Sequence, residues 1–455
     1  MTFDERPDLR HQNPPPMSNR SLRLGAAAVA LALALLSYLA QDVLDPRLRG
    51  AIGAVCFIAI VAAGSSNLRD VNWRTVGWGI ALQLLLAFLI LKFEVNGVRP
   101  GYELFSAIAR GVKRFLEFTS LGSEFVFGDL ANERILGKVL PRGFVFAFTA
   151  LPTIIFISSF FTVLYYFGIL QFVVALMARA MMYLLRTSGA ETLSAAANVF
   201  MGQTEAPIIV KPYVPRMTQS ELLAMMVGGM ATISGGVMAV YIGLGADPIA
   251  ILTTSVMAAP CGLYLSKIML PETEEPETRG RVKMAVERQH VNVIDAAAAG
   301  ASDGLTLALN VAAMLIAFLA FIALFNFLLG MVRPGLTLSG VFAVVFSPVA
   351  VLMGVPGRDV PAMADLLGTK LVANEFVSFV KLTTEYRDTM SPRSYTLATY
   401  ALTGFANFAS VGIQLGGIGG MAPTRRGDLA RLGSRALLVG FLATLINAAI
   451  ASMLL

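Results

Sequence analysis

About nine times along this chain an apolar run approaches the ~20 residues that an α-helix needs to cross the hydrocarbon core of a bilayer. The runs fall at 24–40, 51–64, 76–91, 144–177, 222–244, 249–265, 305–329, 395–415 and 436–455. Of 455 residues, 56% are hydrophobic and 14% charged, with a mean hydropathy of +0.70. Soluble domains carry about 25% charged residues, so no water-facing surface can be built from this mixture. The chain reads as an all-α polytopic membrane protein whose natural solvent is lipid.

The net charge of +6 does not point to nucleic acid, because the basic residues sit in short loops between apolar runs, with no basic stripe or aromatic platform. Arg20, Arg23, Arg69, Arg74, Arg179, Arg186, Lys211, Arg216, the segment 267–288, Arg425, Arg426, Arg431 and Arg435 fall where loops would share one face. By the positive-inside rule that face is cytoplasmic. The N-terminus is then inside and the C-terminus outside. Cys56 and Cys261 lie far apart in apolar runs and read as small buried hydrophobes.

Residues 1–23, polar and proline-rich, read as a disordered cytoplasmic tail. The run 24–40, within an extra N-terminal segment 24–48, ends without a small-x-small cleavage pattern and is expected to be retained as a span. Residues 50–178 read as scaffold spans plus one interfacial helix. In 102–118 Leu104, Phe105, Ile108, Val112, Phe115 and Leu116 recur at helical spacing opposite Arg110, Lys113, Arg114 and Glu117. Residues 269–300 form a charged cytoplasmic loop and 301–332 a further scaffold span.

Two segments, 189–207 and 355–380, are semi-apolar but too broken by Gly, Pro and polar residues to cross in one pass. Each precedes two proper spans, so the plan hairpin, span, span occurs twice, at 189–268 and 355–455. One long span separates the units, which therefore enter from opposite faces. That is an inverted repeat with two re-entrant hairpins, as transporters use.

The polar residues of these units carry the chemistry. The first hairpin holds Asn198, Gln203, Thr204 and Glu205, with Pro207 breaking regular helix and releasing carbonyls. A carboxylate and two amides at membrane depth cost several kcal/mol unless they are paired or line a wet cavity. Helix capping or interhelical hydrogen bonding is the bland alternative, but four polar side chains exceed what one turn needs. The second hairpin carries Asn374 and Glu375. Asn407 and Ser410, at i and i+3, share a helical face; alone they would read as helix glue, and beside Glu375 they form a hydroxyl-binding cluster. In 232–236, Thr232 and Ser234 stand beside Gly235 and Gly236, where a helix can unwind and expose carbonyls. Hard oxygen ligands of that kind suit an alkali cation rather than zinc or copper.

The stretches GQTEAP (202–207), ANEF (373–376), GFANFAS (404–410) and GGIGGMAPTRRGDLAR (416–431), in this order, resemble the concentrative nucleoside transporter family, bacterial sodium-coupled type, over about residues 50 to 455. The resemblance implies a multi-pass protein of the bacterial inner membrane that imports nucleosides with sodium by an elevator-type mechanism. It further implies a homotrimer and no cofactor beyond the coupling ion. By it, Gln203, Thr204, Glu205 and Val237 face the nucleobase with Phe405 close by, and Glu375, Asn407 and Ser410 hold the ribose hydroxyls. Asn198 and Thr232 by side chains, and Met201 and Ile233 by carbonyls, coordinate sodium. Relatives often have serine and valine where Thr232 and Met201 stand, and neither change removes an oxygen ligand.

Three other readings carry less. Gly300-Ala-Ser302-Asp-Gly304 matches a serine hydrolase elbow without a preceding strand or a placed histidine. Gly417-Ile-Gly419-Gly-Met-Ala422 mimics a dinucleotide fingerprint without its βαβ context. An intramembrane acid/base enzyme using Glu205 and Glu375 lacks a metal cluster or triad, since His11 and His290 are the chain's two histidines. Coupling to protons through one of those glutamates is the alternative within transport.

Overall fold

A computed structural model describes residues 18–132, 135, 136, 138, 145–279 and 290–455. Most of the expected disordered tail, and part of the charged loop 269–300, lie outside the described residues. Seventeen α-helices and no strands are found among the described residues. They are α1 Asn19–Leu39, α2 Pro46–Ala63, α3 Trp73–Leu91, α4 Pro100–Phe127, α5 Phe146–Tyr166, α6 Ile169–Leu185, α7 Gly189–Ala197, α8 Gln219–Ala231 and α9 Gly235–Leu244. There follow α10 Pro248–Met269, α11 Val293–Val332, α12 Leu338–Leu352, α13 Val360–Val372, α14 Glu375–Thr384, α15 Pro392–Leu402, α16 Phe408–Met421 and α17 Arg426–Leu454.

Among the described residues eight helical stretches are long and apolar enough to cross a membrane, with α8 and α9 counted as one interrupted span. The ninth expected span is the interrupted pair α15 and α16. The expected all-helical polytopic architecture therefore stands, with several boundaries moved. Residues 18–23 are not tail: Ser18 caps α1 by accepting from the Ser21 amide, 3.1 Å. The run 144–177 is two helices, because Gly168 adopts φ 77° between α5 and α6, a conformation that costs glycine little. Residues 293–300, expected in the charged loop, already belong to the 40-residue α11. The interfacial helix extends to Phe127 and buries a narrow stripe of small residues, Ser106, Ala109, Thr119 and Ser123.

The duplication is larger than the sequence suggests. A long helix (α5, α11) leads to a short apolar one (α6, α12), then a hairpin (α7 with its return; α13–α14), a broken span (α8–α9; α15–α16) and a continuous one (α10; α17). Helix α12, missed in the sequence, has 15 residues with Pro348 inside it, short of the ~20 a crossing needs. The number of crossings between segments 189–268 and 355–455 thus stays odd.

Packing separates two bodies of helix. Helices α5 and α11 pack extensively on each other, and Gly300 and Gly304 make the approach possible: a Cβ on Gly300 would lie 2.5 Å from Thr162 Oγ1, and one on Gly304 2.7 Å from Ile155 Cα. Those two glycines of the serine-hydrolase pattern are a helix-packing stripe. Helices α8, α10 and α17 form the buried centre. Of the helices before residue 178, α2 lies along α17 and α3 along α10. Tyr264 donates to Gln83 Oε1 at 2.9 Å, and Gln83 donates to Asn447 Oδ1 at 2.7 Å. Asn447 in turn donates to Thr254 Oγ1 at 3.1 Å. This buried amide network joins α3, α10 and α17, and pulling any member away would strand polar groups in an apolar interior.

Candidate functional site

Both broken spans are interrupted in the same manner. Helix α8 ends at Thr232, whose hydroxyl donates to the Gly228 carbonyl at 2.8 Å, and α15 ends at Thr403, whose hydroxyl donates to the Thr399 carbonyl at 2.7 Å. After each break a polar side chain restarts the helix: Ser234 Oγ accepts from the Val237 amide, 3.4 Å, and Asn407 Oδ1 from the Ser410 amide, 2.9 Å. The breaks cross each other, and the Phe405 amide donates to the Thr232 carbonyl at 3.1 Å. Gly404, at φ 152°, permits that approach, since a Cβ there would lie 3.0 Å from the Met230 carbonyl oxygen. Each hairpin tip closes onto the crossing. The Gly235 amide donates to the Phe200 carbonyl at 2.8 Å, and Asn374 restarts the second hairpin by accepting from the Val377 amide at 2.9 Å.

The result is a cavity of about 220 Å³ into which the starts of α9, α14 and α16 converge. Helix N-termini present free amide donors and a partial positive charge, which suits ligand oxygens and a carboxylate. All eight expected substrate residues line it: Gln203, Thr204, Glu205, Val237, Glu375, Phe405, Asn407 and Ser410. Glu375 is the most tightly held, with Oε1 accepting from Tyr241 Oη at 3.1 Å and Oε2 from Asn407 Nδ2 at 2.9 Å. An ionised carboxylate has about four acceptor sites, so it can still take ligand hydroxyls. Gln203 Nε2 donates to Ser410 Oγ at 3.2 Å, while its Oε1 is buried without a partner among the described residues. Glu205 folds back to accept from the Gly202 amide at 3.1 Å, which orders the first tip.

The four expected cation residues do not line the cavity but lie behind it. Asn198 ends α7 and donates to the Ser194 carbonyl at 3.0 Å, while its Oδ1 is buried and finds no donor among the described residues. Asn198 and Thr232 both abut Gly228, and the Phe200–Gly235 bond stitches their segments together. Met201 and Ile233 sit on non-helical backbone. A buried orphan acceptor, a hydroxyl and two loop residues make a neutral, hard-oxygen set that fits an alkali ion. Among the described residues no cluster of His, Cys, Asp and Glu could hold a transition metal.

Two lining elements escaped the sequence reading. Tyr241 stands one helical turn beyond Val237, stacks on Phe379 at 4.0 Å between ring centroids, and holds Glu375; the i+4 spacing was the available signal. The apolar wall of Leu307, Val311, Met314 and Leu315 comes from α11, and only tertiary packing assigns it to the site.

Family models described as the N-terminus and C-terminus of a Na+ dependent nucleoside transporter match residues 52–130 and 250–452, and one described as nucleoside recognition matches 147–248. An uncharacterized transporter of Haemophilus influenzae is 43% identical over 88% of this chain and 96% of its own length. Sodium/nucleoside cotransporter 1 of Mus musculus is 39% identical over 94% of this chain and 67% of its own length. The structure of CNTnw in an inward-facing, substrate-bound state superposes with a TM-score of 0.85 at 37% identity, covering 90% of this chain and 97% of that one. An outward-facing CNTnw variant gives 0.85 at 37% identity, covering 90% and 98%. The chain is therefore a multi-pass membrane transporter and not an enzyme, and it belongs to the concentrative, Na+-dependent nucleoside transporter family.

Proposed function

We propose that the chain imports nucleosides across the bacterial inner membrane by symport with sodium, moving one site between the two faces. The observation that carries this reading is the convergence of two hairpin tips and two helix breaks on a single cavity, with a neutral oxygen set directly behind it. Irregular backbone at membrane depth is tolerated only where it is buried in protein or lines a cavity, and here it builds one.

Glu375, with Asn407 and Ser410, takes the ribose hydroxyls, since a carboxylate, an amide and a hydroxyl offer both acceptors and donors at one end of the cavity. Gln203, Thr204, Glu205, Val237 and Phe405 form the base end, where an unpaired amide oxygen and an aromatic face suit a planar heterocycle. Sodium binds Asn198, Thr232, Met201 and Ile233; it supplies the positive charge at that point. The mobile body is α7–α10 and α13–α17 together with α3, tied to them by the polar network, and α2, which packs along α17. The stationary body is the α5–α11 pair, assembled as a homotrimer.

The ligands are neutral, so each sodium carries its charge across with the site. That couples uptake to voltage by about 2.3 kcal/mol per charge per 100 mV. Uptake of labelled uridine, adenosine and thymidine into proteoliposomes tests the reading. Replacing external sodium by choline at constant pH should abolish accumulation, and uptake that persists unchanged would sink sodium coupling in favour of protons or facilitated flux.

A further inference from the structure

Both hairpins meet their broken spans at the same kind of junction, the C-terminal end of one helix against the C-terminal end of another. In the first repeat these are the ends of α7 and α8, at Asn198 and Thr232; in the second, the ends of α13 and α15, at Ala373 and Thr403. Each helix C-terminus carries unsatisfied carbonyls and about half a negative charge, so two of them meeting in a water-poor interior call for a cation. The first junction offers the neutral oxygens already described. The second contains Lys370, in the last turn of α13 and fully buried at 0% exposure.

Its Nζ donates to the Ala401 carbonyl at 2.7 Å, in the last turn of α15, and to Thr444 Oγ1 at 2.9 Å, and lies 5.4 Å from the centroid of the Phe441 ring. The Thr444 hydroxyl already donates to the Phe441 carbonyl at 2.8 Å, so toward Lys370 it can only accept. A carbonyl, a spoken-for hydroxyl and a π-face are all partners for a cation. Ala401 stands two residues before Thr403, as Met230 does before Thr232, so the ammonium occupies the second repeat's counterpart of the first repeat's junction.

We propose that Lys370 is a tethered cation: it does for the second junction what the coupling ion does for the first, fixing the hairpin tip against the helix break. It is a positioning residue, acting on the nucleoside through Asn374 and Glu375, which follow it in the chain. The second hairpin then keeps its geometry whether or not sodium is bound, and one mobile ion suffices for the two junctions. The inference extends the sodium reading above to this chain's own lysine.

The test is equilibrium binding of uridine to the purified full-length protein, with thermal unfolding measured alongside, for wild type, Lys370→Ala and Lys370→Met. Lys370→Ala should weaken uridine binding roughly tenfold or more, and methylammonium, small enough for the vacated space, should restore affinity and unfolding temperature while tetramethylammonium does not. Lys370→Met fills the space without charge and should stay weak in either salt. Wild-type affinity and sodium dependence in Lys370→Met would overturn the proposal, as would loss in Lys370→Ala that both ammonium ions repair equally or that methylammonium leaves untouched. Should neither variant fold, Thr444→Val removes one acceptor and keeps the lysine; unchanged uridine affinity there would equally overturn it. Wild-type protein in choline separates the two readings: uridine binding indifferent to sodium refutes the ion at the first junction, while methylammonium rescue independently decides Lys370.

Discussion

The two repeats share a backbone plan and differ in their chemistry. The first places amides, a threonine and a buried orphan acceptor at its hairpin and break; the second places Glu375, Asn407 and the buried Lys370 at the same stations. Duplication fixes where helix ends point, and the side chains decide what each end holds. A region whose charges are built in can be ready before ligand arrives, whereas one that lacks a cation depends on the medium. Coupling, on this view, resides in the first repeat and sugar recognition in the second.

The largest effect should come from the second repeat. In Glu375→Gln the amide can keep its oxygen toward Asn407 Nδ2 and turn its NH2 to the Tyr241 hydroxyl, so what is lost is the charge-assisted character of the bonds, those to ligand hydroxyls included. Such bonds contribute about 1.5–3 kcal/mol, and nucleoside affinity should fall by one to two orders of magnitude. A nucleoside lacking one ribose hydroxyl should lose less affinity in this variant than in wild type. Additive losses, within about 0.5 kcal/mol, would place the sugar elsewhere and break the assignment of roles.

Next is Asn198→Ala in the first repeat. Loss of one oxygen ligand contributing ~1.4 kcal/mol raises the sodium needed for half-maximal uptake about tenfold. Base selectivity should hold, and an unaltered sodium requirement would remove Asn198 from the cation set. Tyr241→Phe sharpens the comparison from within the first repeat, because it keeps the stack on Phe379 and deletes a hydrogen bond to Glu375. Affinity should drop about fivefold, roughly 1 kcal/mol, for all bases alike; a base-dependent loss would contradict a role on the sugar side. The smallest effect is expected of Glu205→Gln. Its bond to the Gly202 amide survives through the remaining oxygen, so purine-to-pyrimidine preference should shift a few-fold, ~0.5–1 kcal/mol, with total uptake largely kept.

Much of this was legible in the sequence because membrane burial makes polar residues conspicuous. Glu375, Asn407 and the cluster around Gln203 stood out against apolar surroundings, and the structure gathers all eight expected substrate residues into one cavity. Lys370 was overlooked although it is equally buried, since a lysine in the last turn of a helix, four residues before Asn374, looks like an ordinary helix-end charge until Ala401 and Thr444 close on it. Helix α12 was missed because its 15 residues fall below a span's length and include no charged or amide side chain to mark them. The link between α3 and the centre was hidden for a related reason. Gln83, Tyr264, Asn447 and Thr254 are each unremarkable alone, and only their hydrogen bonds across three helices show that α3 packs with the centre.

The 40 residues of α11 give it a contour length of about 60 Å at 1.5 Å per residue, twice the ~30 Å thickness of the hydrocarbon core. The cavity touches it over the short stretch from Leu307 to Leu315, so about 20 Å of the same rod extends beyond the contact on either side. On the movement proposed above, a beam longer than the hydrocarbon core is thick keeps one apolar flank against the travelling site. Under that proposal the closed wall of the binding site is a sliding bearing, and the length of the helix sets how far the cargo can travel before that wall runs out.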